Sequence, residues 1–101
     1  MYRRALALDD KFAPAYNNLG NVLADQNKLT EAEEMYRRAI ALDNKYVYAY
    51  NNLGNVLYNQ KKLTEAEEMY RRAIALDDKY VFAYNNLGNV QIGRASCRER
   101  V

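Results

Sequence analysis

Histidine and tryptophan are absent from these 101 residues, and cysteine and proline occur once each. With no histidine and only Cys97, the usual metal-site spacings and any internal disulfide are excluded. A nucleophile and general base would have to be assembled from carboxylates, lysine or tyrosine. Four glycines and a single proline leave little material for a turn-rich all-β fold and favour long helices. Leu53-Gly54-Asn55 is a lone glycine without the spaced glycines of a phosphate loop. No apolar run approaches the roughly 20 residues needed to span a bilayer. No Asn-x-Ser/Thr acceptor occurs either. An excess of one charge is also missing. Fifteen Lys and Arg face thirteen Asp and Glu, and the surplus lies near the C-terminus, where Arg94, Arg98 and Arg100 stand against Glu99 alone. The remainder balances, which argues against a nucleic-acid or acidic-membrane partner. No cofactor is expected, and the compartment is not readable.

What is present is a repeat. The segment MYRRALALDDKFAPAYNNLGNVLADQNKLTEAEE, residues 1–34, returns with few changes at 35–68, and a third copy runs over 69–90. Self-similarity at a period of 34 residues is the signature of stacked helical hairpins. The opening Met1-Tyr2-Arg3-Arg4 could pass for a targeting signal, but the same four residues stand at 35–38 and 69–72, so they belong to the repeat. Each unit reads as two helices. Helix A, clearest over 48–61, carries Tyr50, Leu53, Gly54 and Leu57 on one face at 3.6-residue spacing. Helix B follows Leu63 and carries Ala66, Met69, Tyr70, Ala73 and Ile74 on its apolar face. Thr64 is expected to N-cap it with Glu67 completing a capping box, as Thr30 and Glu33 would one unit earlier. Glu67 with Arg71 and Glu68 with Arg72 form i,i+4 pairs on its outer face. A glycine inside a helix is unfavourable by about 1 kcal/mol relative to alanine. Gly54 therefore implies close helix approach, with Ala66 and Ala73 expected as the matching small surfaces.

These positions resemble the tetratricopeptide repeat, whose pattern of an aromatic, Leu-Gly, a large residue, Ala, an aromatic and Ala is met by Tyr50, Leu53-Gly54, Leu57, Ala66, Tyr70 and Ala73. Tyrosine stands where the first aromatic is often tryptophan. Asp10, Asn44 and Asp78 stand where proline is usual, which is expected to leave the turns between units less rigid. The resemblance implies an all-α right-handed solenoid of antiparallel helix pairs, in the order B, A-B, A-B, A, over residues 1–90. It also implies a fragment of a longer array without the polar capping helices that close such arrays. Self-association through the bare ends is then expected, and an end-to-end filament is the structural alternative to a binding scaffold. Residues 91–101, QIGRASCRERV, share nothing with the repeat and interrupt helix A where Leu23 and Leu57 stand in the other copies. They resemble the translation of a sequencing adapter joined to a DNA insert, and are expected to be artefactual.

Every carboxylate has a structural reading. Glu31, Glu33 and Glu34 suit a helix first turn, and Asp9, Asp43 and Asp77 mark helix ends, so no catalytic site is expected. The unusual feature is the asparagine content of helix A. Asn17, Asn18 and Asn21 recur as Asn51, Asn52 and Asn55 and as Asn85, Asn86 and Asn89, although asparagine is a middling helix former. At about 100° per residue, Tyr48, Asn51, Asn55, Tyr58 and Asn59 cluster away from the core stripe, with Asn52 at the margin. The resemblance places this side of helix A in the concave groove. There, amides supply the donor and acceptor needed to hold an extended peptide by its backbone. Some tetratricopeptide superhelices carry an asparagine ladder of this kind, and Asn18, Asn52 and Asn86 match it. The same asparagines could instead bond across repeats and stiffen the scaffold. Tyr2, Tyr16, Tyr36, Tyr50, Tyr70 and Tyr84 fall at core positions, whereas Tyr48, Tyr58 and Phe82 lie on the groove face as candidate anchors for a protein or peptide partner.

Overall fold

The computed structural model describes residues 12–99, without the side chains of 93–99. Tyr2, Asp9, Asp10 and the opening helix B lie outside the described residues. Five helices follow one another: α1 (Ala13–Asp25), α2 (Leu29–Leu42), α3 (Val47–Asn59), α4 (Leu63–Leu76) and α5 (Val81–Glu99). They correspond to A-B, A-B and A, and no strand occurs among the described residues. Each helix packs on its neighbours in sequence, and the A helices α1, α3 and α5 also touch in series. That is the contact pattern of a solenoid. The body measures 50 × 28 × 17 Å. The third A helix continues through the non-repeat segment to Glu99, so the change of sequence at Gln91 does not end it.

The core follows the predicted stripes. Leu53, Leu57, Ala66 and Ala73 are fully buried, with Tyr36 and Tyr70 nearly so. The helical glycines explain how so large a ring fits. A Cβ at Gly54 would lie 2.5 Å from Cε1 of Tyr70, and one at Gly20 would lie 2.6 Å from Cε1 of Tyr36. This corrects the expectation that Ala66 and Ala73 are the glycine's counterparts. The glycine is needed because an aromatic face, rather than a second small surface, lies on the backbone.

The turns also depart from expectation. Neither α2 nor α4 is capped by a threonine side chain; the N-caps are Lys28 and Lys62, without a side-chain bond, and the helices start at Leu29 and Leu63. The preceding A helix determines this start. The Lys28 amide donates to the Leu23 carbonyl at 2.8 Å and the Asn27 amide to Ala24 at 2.9 Å, while Lys62 and Lys61 make the equivalent bonds to Leu57 and Tyr58. These paired bonds form a Schellman motif, which needs a left-handed residue just past the helix. Asn27 and Lys61 occupy it, with φ of 62° and 65°. The tight reversal brings Leu29 and Leu63 against the core and leaves threonine one residue inside the helix.

Asparagine tolerates the left-handed region, but for lysine it is unfavourable by about 1–2 kcal/mol. Glycine removes that strain but has more backbone freedom to lose on folding. Lys61→Gly is therefore expected to stabilise the protein by a net of about 0.5–1 kcal/mol. A urea midpoint that stays put or falls would count against the strain.

Between units, hydrogen bonds do what proline would do by fixing φ. Oδ1 of Asp43 accepts from the Lys45 amide at 3.0 Å. The Tyr46 amide donates to the Asp43 carbonyl at 3.1 Å, and the Tyr50 hydroxyl donates to the Asn44 carbonyl at 3.0 Å. The first two bonds recur at Asp77, Lys79 and Tyr80. Outer-face ion pairs form as the spacing predicts, Arg38 with Glu34 and Arg72 with Glu68 at 2.9 Å, and Arg71 with Glu67 at 3.8 Å. Exposed pairs of this kind add little to stability, because water and salt screen both charges.

Candidate functional site

Along α3, Tyr48, Asn52, Asn55 and Asn59 fall at i, i+4, i+7 and i+11 and form one stripe. The matching residues of α5 are Phe82, Asn86 and Asn89. Because the A helices lie side by side, the stripes merge into one surface with an aromatic row at the helix starts and amide rows beyond it.

The amides are of four kinds. Asn17 and Asn51 are buried between consecutive A helices. Their Oδ1 atoms accept from Nδ2 of Asn52 and Asn86 respectively, each at 3.0 Å, so both are internal struts. Asn52 and Asn86 are half-buried and keep one N–H and the carbonyl oxygen available. Asn21 and Asn55 accept the hydroxyl protons of Tyr36 and Tyr70 at 2.6 Å. Asn18, Asn59, Asn85 and Asn89 are exposed and make no side-chain hydrogen bond among the described residues. Asn17 and Asn51, expected in the groove, thus brace consecutive repeats, while the exposed asparagines leave their amides open to solvent.

One cleft of about 320 Å³ gathers Asn55, Tyr58, Asn59, Tyr70, Asn86 and Asn89, five of which are candidates from the sequence. Its lining has no charged side chain. Tyr70 is the one the sequence assigned to packing alone. Its ring is core, while its hydroxyl reaches the groove. The signal was available, because tyrosine recurs fifteen residues after an asparagine in both units. Burial, with a smaller contribution from Tyr58, pushes the Tyr70 phenol well above its usual range, and burial assisted by Asp25 does the same at Tyr36. Both hydroxyls are donors at any ordinary pH.

The aromatic row extends beyond the predicted Tyr48 and Phe82. Tyr46 meets Tyr48 edge-on at 5.5 Å between ring centres, Tyr48 meets Tyr80 at 5.5 Å, and Tyr80 meets Phe82 at 5.6 Å. Tyr46 and Tyr80 were not singled out because they precede helix A and so fall outside its periodicity. Burial raises the phenol pKa of both. At the far end, Tyr84 is 47% exposed where its counterpart Tyr50 is 7% exposed. No cluster of potential metal ligands occurs among the described residues. No helix there is long and apolar enough to cross a membrane.

Fold and surface together define a helical-repeat protein whose A helices share an amide-lined cleft without charged side chains. Sequence families described as tetratricopeptide repeat match residues 1–34 and 47–80, and one described as TPR repeat matches residues 20–61. The chain belongs to the tetratricopeptide repeat family. Among solved structures it is similar to the first TPR of Spaghetti (RPAP3) bound to the HSP90 peptide SRMEEVD, with 26% identity and a TM-score of 0.90 over 93% of this chain and 75% of that one. YrrB, described as a TPR protein with an unusual peptide-binding site, shares 26% identity with a TM-score of 0.87, over 93% of this chain and 48% of its own. MamA shares 29% identity with a TM-score of 0.88, over 93% and 55%. The chain thus spans about half the length of the latter two. Among curated proteins none matches it by sequence.

Proposed function

We propose that this chain is a protein-interaction scaffold, without catalysis of its own, whose concave face holds an extended peptide chiefly by its backbone. The observation that carries the reading is the uncharged cleft, whose asparagines offer donors and acceptors in pairs. Two similar solved proteins are described with a bound peptide or a peptide-binding site. Asn52 and Asn86, oriented by Asn17 and Asn51, would take main-chain groups. Asn55, Asn59 and Asn89 would support them, and Tyr48, Tyr58 and Phe82 would add apolar contact. The groove positions of these A helices carry no lysine or arginine, so a free C-terminal carboxylate is not required.

The struts decide how the reading is tested. Asn52→Ala leaves the buried Asn17 oxygen without its donor and is expected to destabilise the fold by about 1–3 kcal/mol, so it confuses binding with folding. Asn59 and Asn89 are free of such bonds. Asn59→Ala together with Asn89→Ala should weaken a library-selected peptide by about 1–3 kcal/mol, at 0.5–1.5 for each neutral hydrogen bond. The melting temperature should hold or rise, because alanine is the better helix former. Unchanged affinity in this double variant would remove the basis for a peptide groove.

A further inference from the structure

The four-ring row at the starts of the A helices has no charge within it and leaves much of its apolar surface in water, Tyr48 being 50% and Phe82 65% exposed. Tyr80 lies between those two rings, meeting Tyr48 edge-on and Phe82 at a tilt of 58°. The result is a continuous run of rings in which the half-buried Tyr80 links the two exposed ones, Tyr48 and Phe82. About one helical turn further along the axis stand the amides of Asn52 and Asn86.

We infer that the peptide held on this face is a proline-containing segment in the polyproline II conformation. This rests on the groove reading above and names the class of ligand. Three properties of that conformation match the surface. It makes no internal hydrogen bonds, so its carbonyls need donors, which the amide row and the tyrosine hydroxyls supply. Proline contributes no N–H, so apolar aromatic walls beside it leave no donor unsatisfied. Its turn of three residues advances about 9 Å, close to the 8–10 Å at which packed helices stand apart. Tyr48 and Phe82, equivalent residues of consecutive A helices, would therefore meet successive prolines spaced three apart. Charge fits as well, because the four rings carry no charge of their own and the cleft lining has no charged side chain to select an acidic or basic sequence. An amphipathic helix fits less well. Its carbonyls are already bonded internally, and the amide row would face a surface unable to accept from it.

The test uses the 101-residue protein and three dye-labelled, acetylated and amidated twelve-residue peptides. The first has proline at every third position among alanine and glutamine. The second is its scramble, with the prolines adjacent at one end, and the third replaces proline by serine. By fluorescence anisotropy the periodic peptide is expected to bind at least tenfold tighter than the other two. Tyr48→Ala with Phe82→Ala should erase that preference while leaving the protein folded, as its helical circular dichroism would show. If all three peptides bind alike and Asn59→Ala with Asn89→Ala weakens them all, the polyproline inference is overturned while the backbone groove stands. If none binds, both fall. A preference that survives loss of Tyr48 and Phe82 overturns the role given to the aromatic row.

Discussion

Gly54→Ala is expected to destabilise the protein by about 2–3 kcal/mol, although alanine is the better helix former by about 1 kcal/mol. The new methyl would sit 2.5 Å from Cε1 and 2.7 Å from Cδ1 of Tyr70. That ring is 2% exposed, and its hydroxyl is tied to Asn55, so it has no free direction in which to yield. Gly20→Ala should behave alike against Tyr36. Gly88 stands at the same place in the third unit, and a methyl added there would meet nothing within 4 Å. Gly88→Ala should therefore be neutral or stabilise by up to about 1 kcal/mol. Urea unfolding of the three single variants reads the contrast directly. Against a total stability of about 5–15 kcal/mol for a small domain, the first two changes are severe. Equal midpoints for Gly54→Ala and Gly88→Ala would show that the ring contact does not govern the position.

Stability should also fall steeply above pH 10. The Tyr36 and Tyr70 phenols titrate near 10 in an unfolded chain and well above that when folded, because burial disfavours the phenolate. The neutral hydroxyls therefore stabilise the fold fully below about pH 10. As pH rises beyond that point the unfolded chain releases protons the folded one keeps, and stability falls by up to about 1.4 kcal/mol per pH unit for each tyrosine. Tyr36→Phe with Tyr70→Phe should flatten this decline. It should also lower stability at neutral pH by about 0.5–1.5 kcal/mol per site, since Asn21 and Asn55 lose a donor. Urea midpoints between pH 8 and 11.5 for both proteins make the comparison, and a double variant with an undiminished slope would place the alkaline transition elsewhere.

The helices and their core faces were legible in the sequence because the 34-residue repeat states every position at least twice. Periodicity says which residues face inward but not which of them meet. It was blind to the ring of Tyr70 lying on Gly54, and small residues suggested themselves by analogy. The threonine cap failed for a related reason. Thr30 and Glu33 satisfy the local pattern, yet the left-handed residue at Asn27 closes the turn early and starts α2 at Leu29. At the candidate site, asparagine type and spacing pointed to residues that the fold gathers, since Asn55, Asn59, Asn86 and Asn89 line one cleft. The division of labour within it depended on which amides come to lie between two A helices. That contact spans 35 residues, and no local pattern encodes it.

The strut from Asn52 to Asn17 and its copy from Asn86 to Asn51 span the same interval, one residue longer than the repeat. Excising residues 35–68 would join Glu34 to Met69, the same dipeptide that now joins Glu34 to Met35. Asn86 would then stand where Asn52 does, opposite Asn17, and Tyr70 would take the place of Tyr36 over Gly20. Duplicating the segment is equally seamless. In genetic terms, unequal crossing-over between such units creates no novel junction for selection to reject. Copy number becomes a heritable variable, and the span of the asparagine-lined face can lengthen or shorten by whole repeats while every interior bond is reproduced.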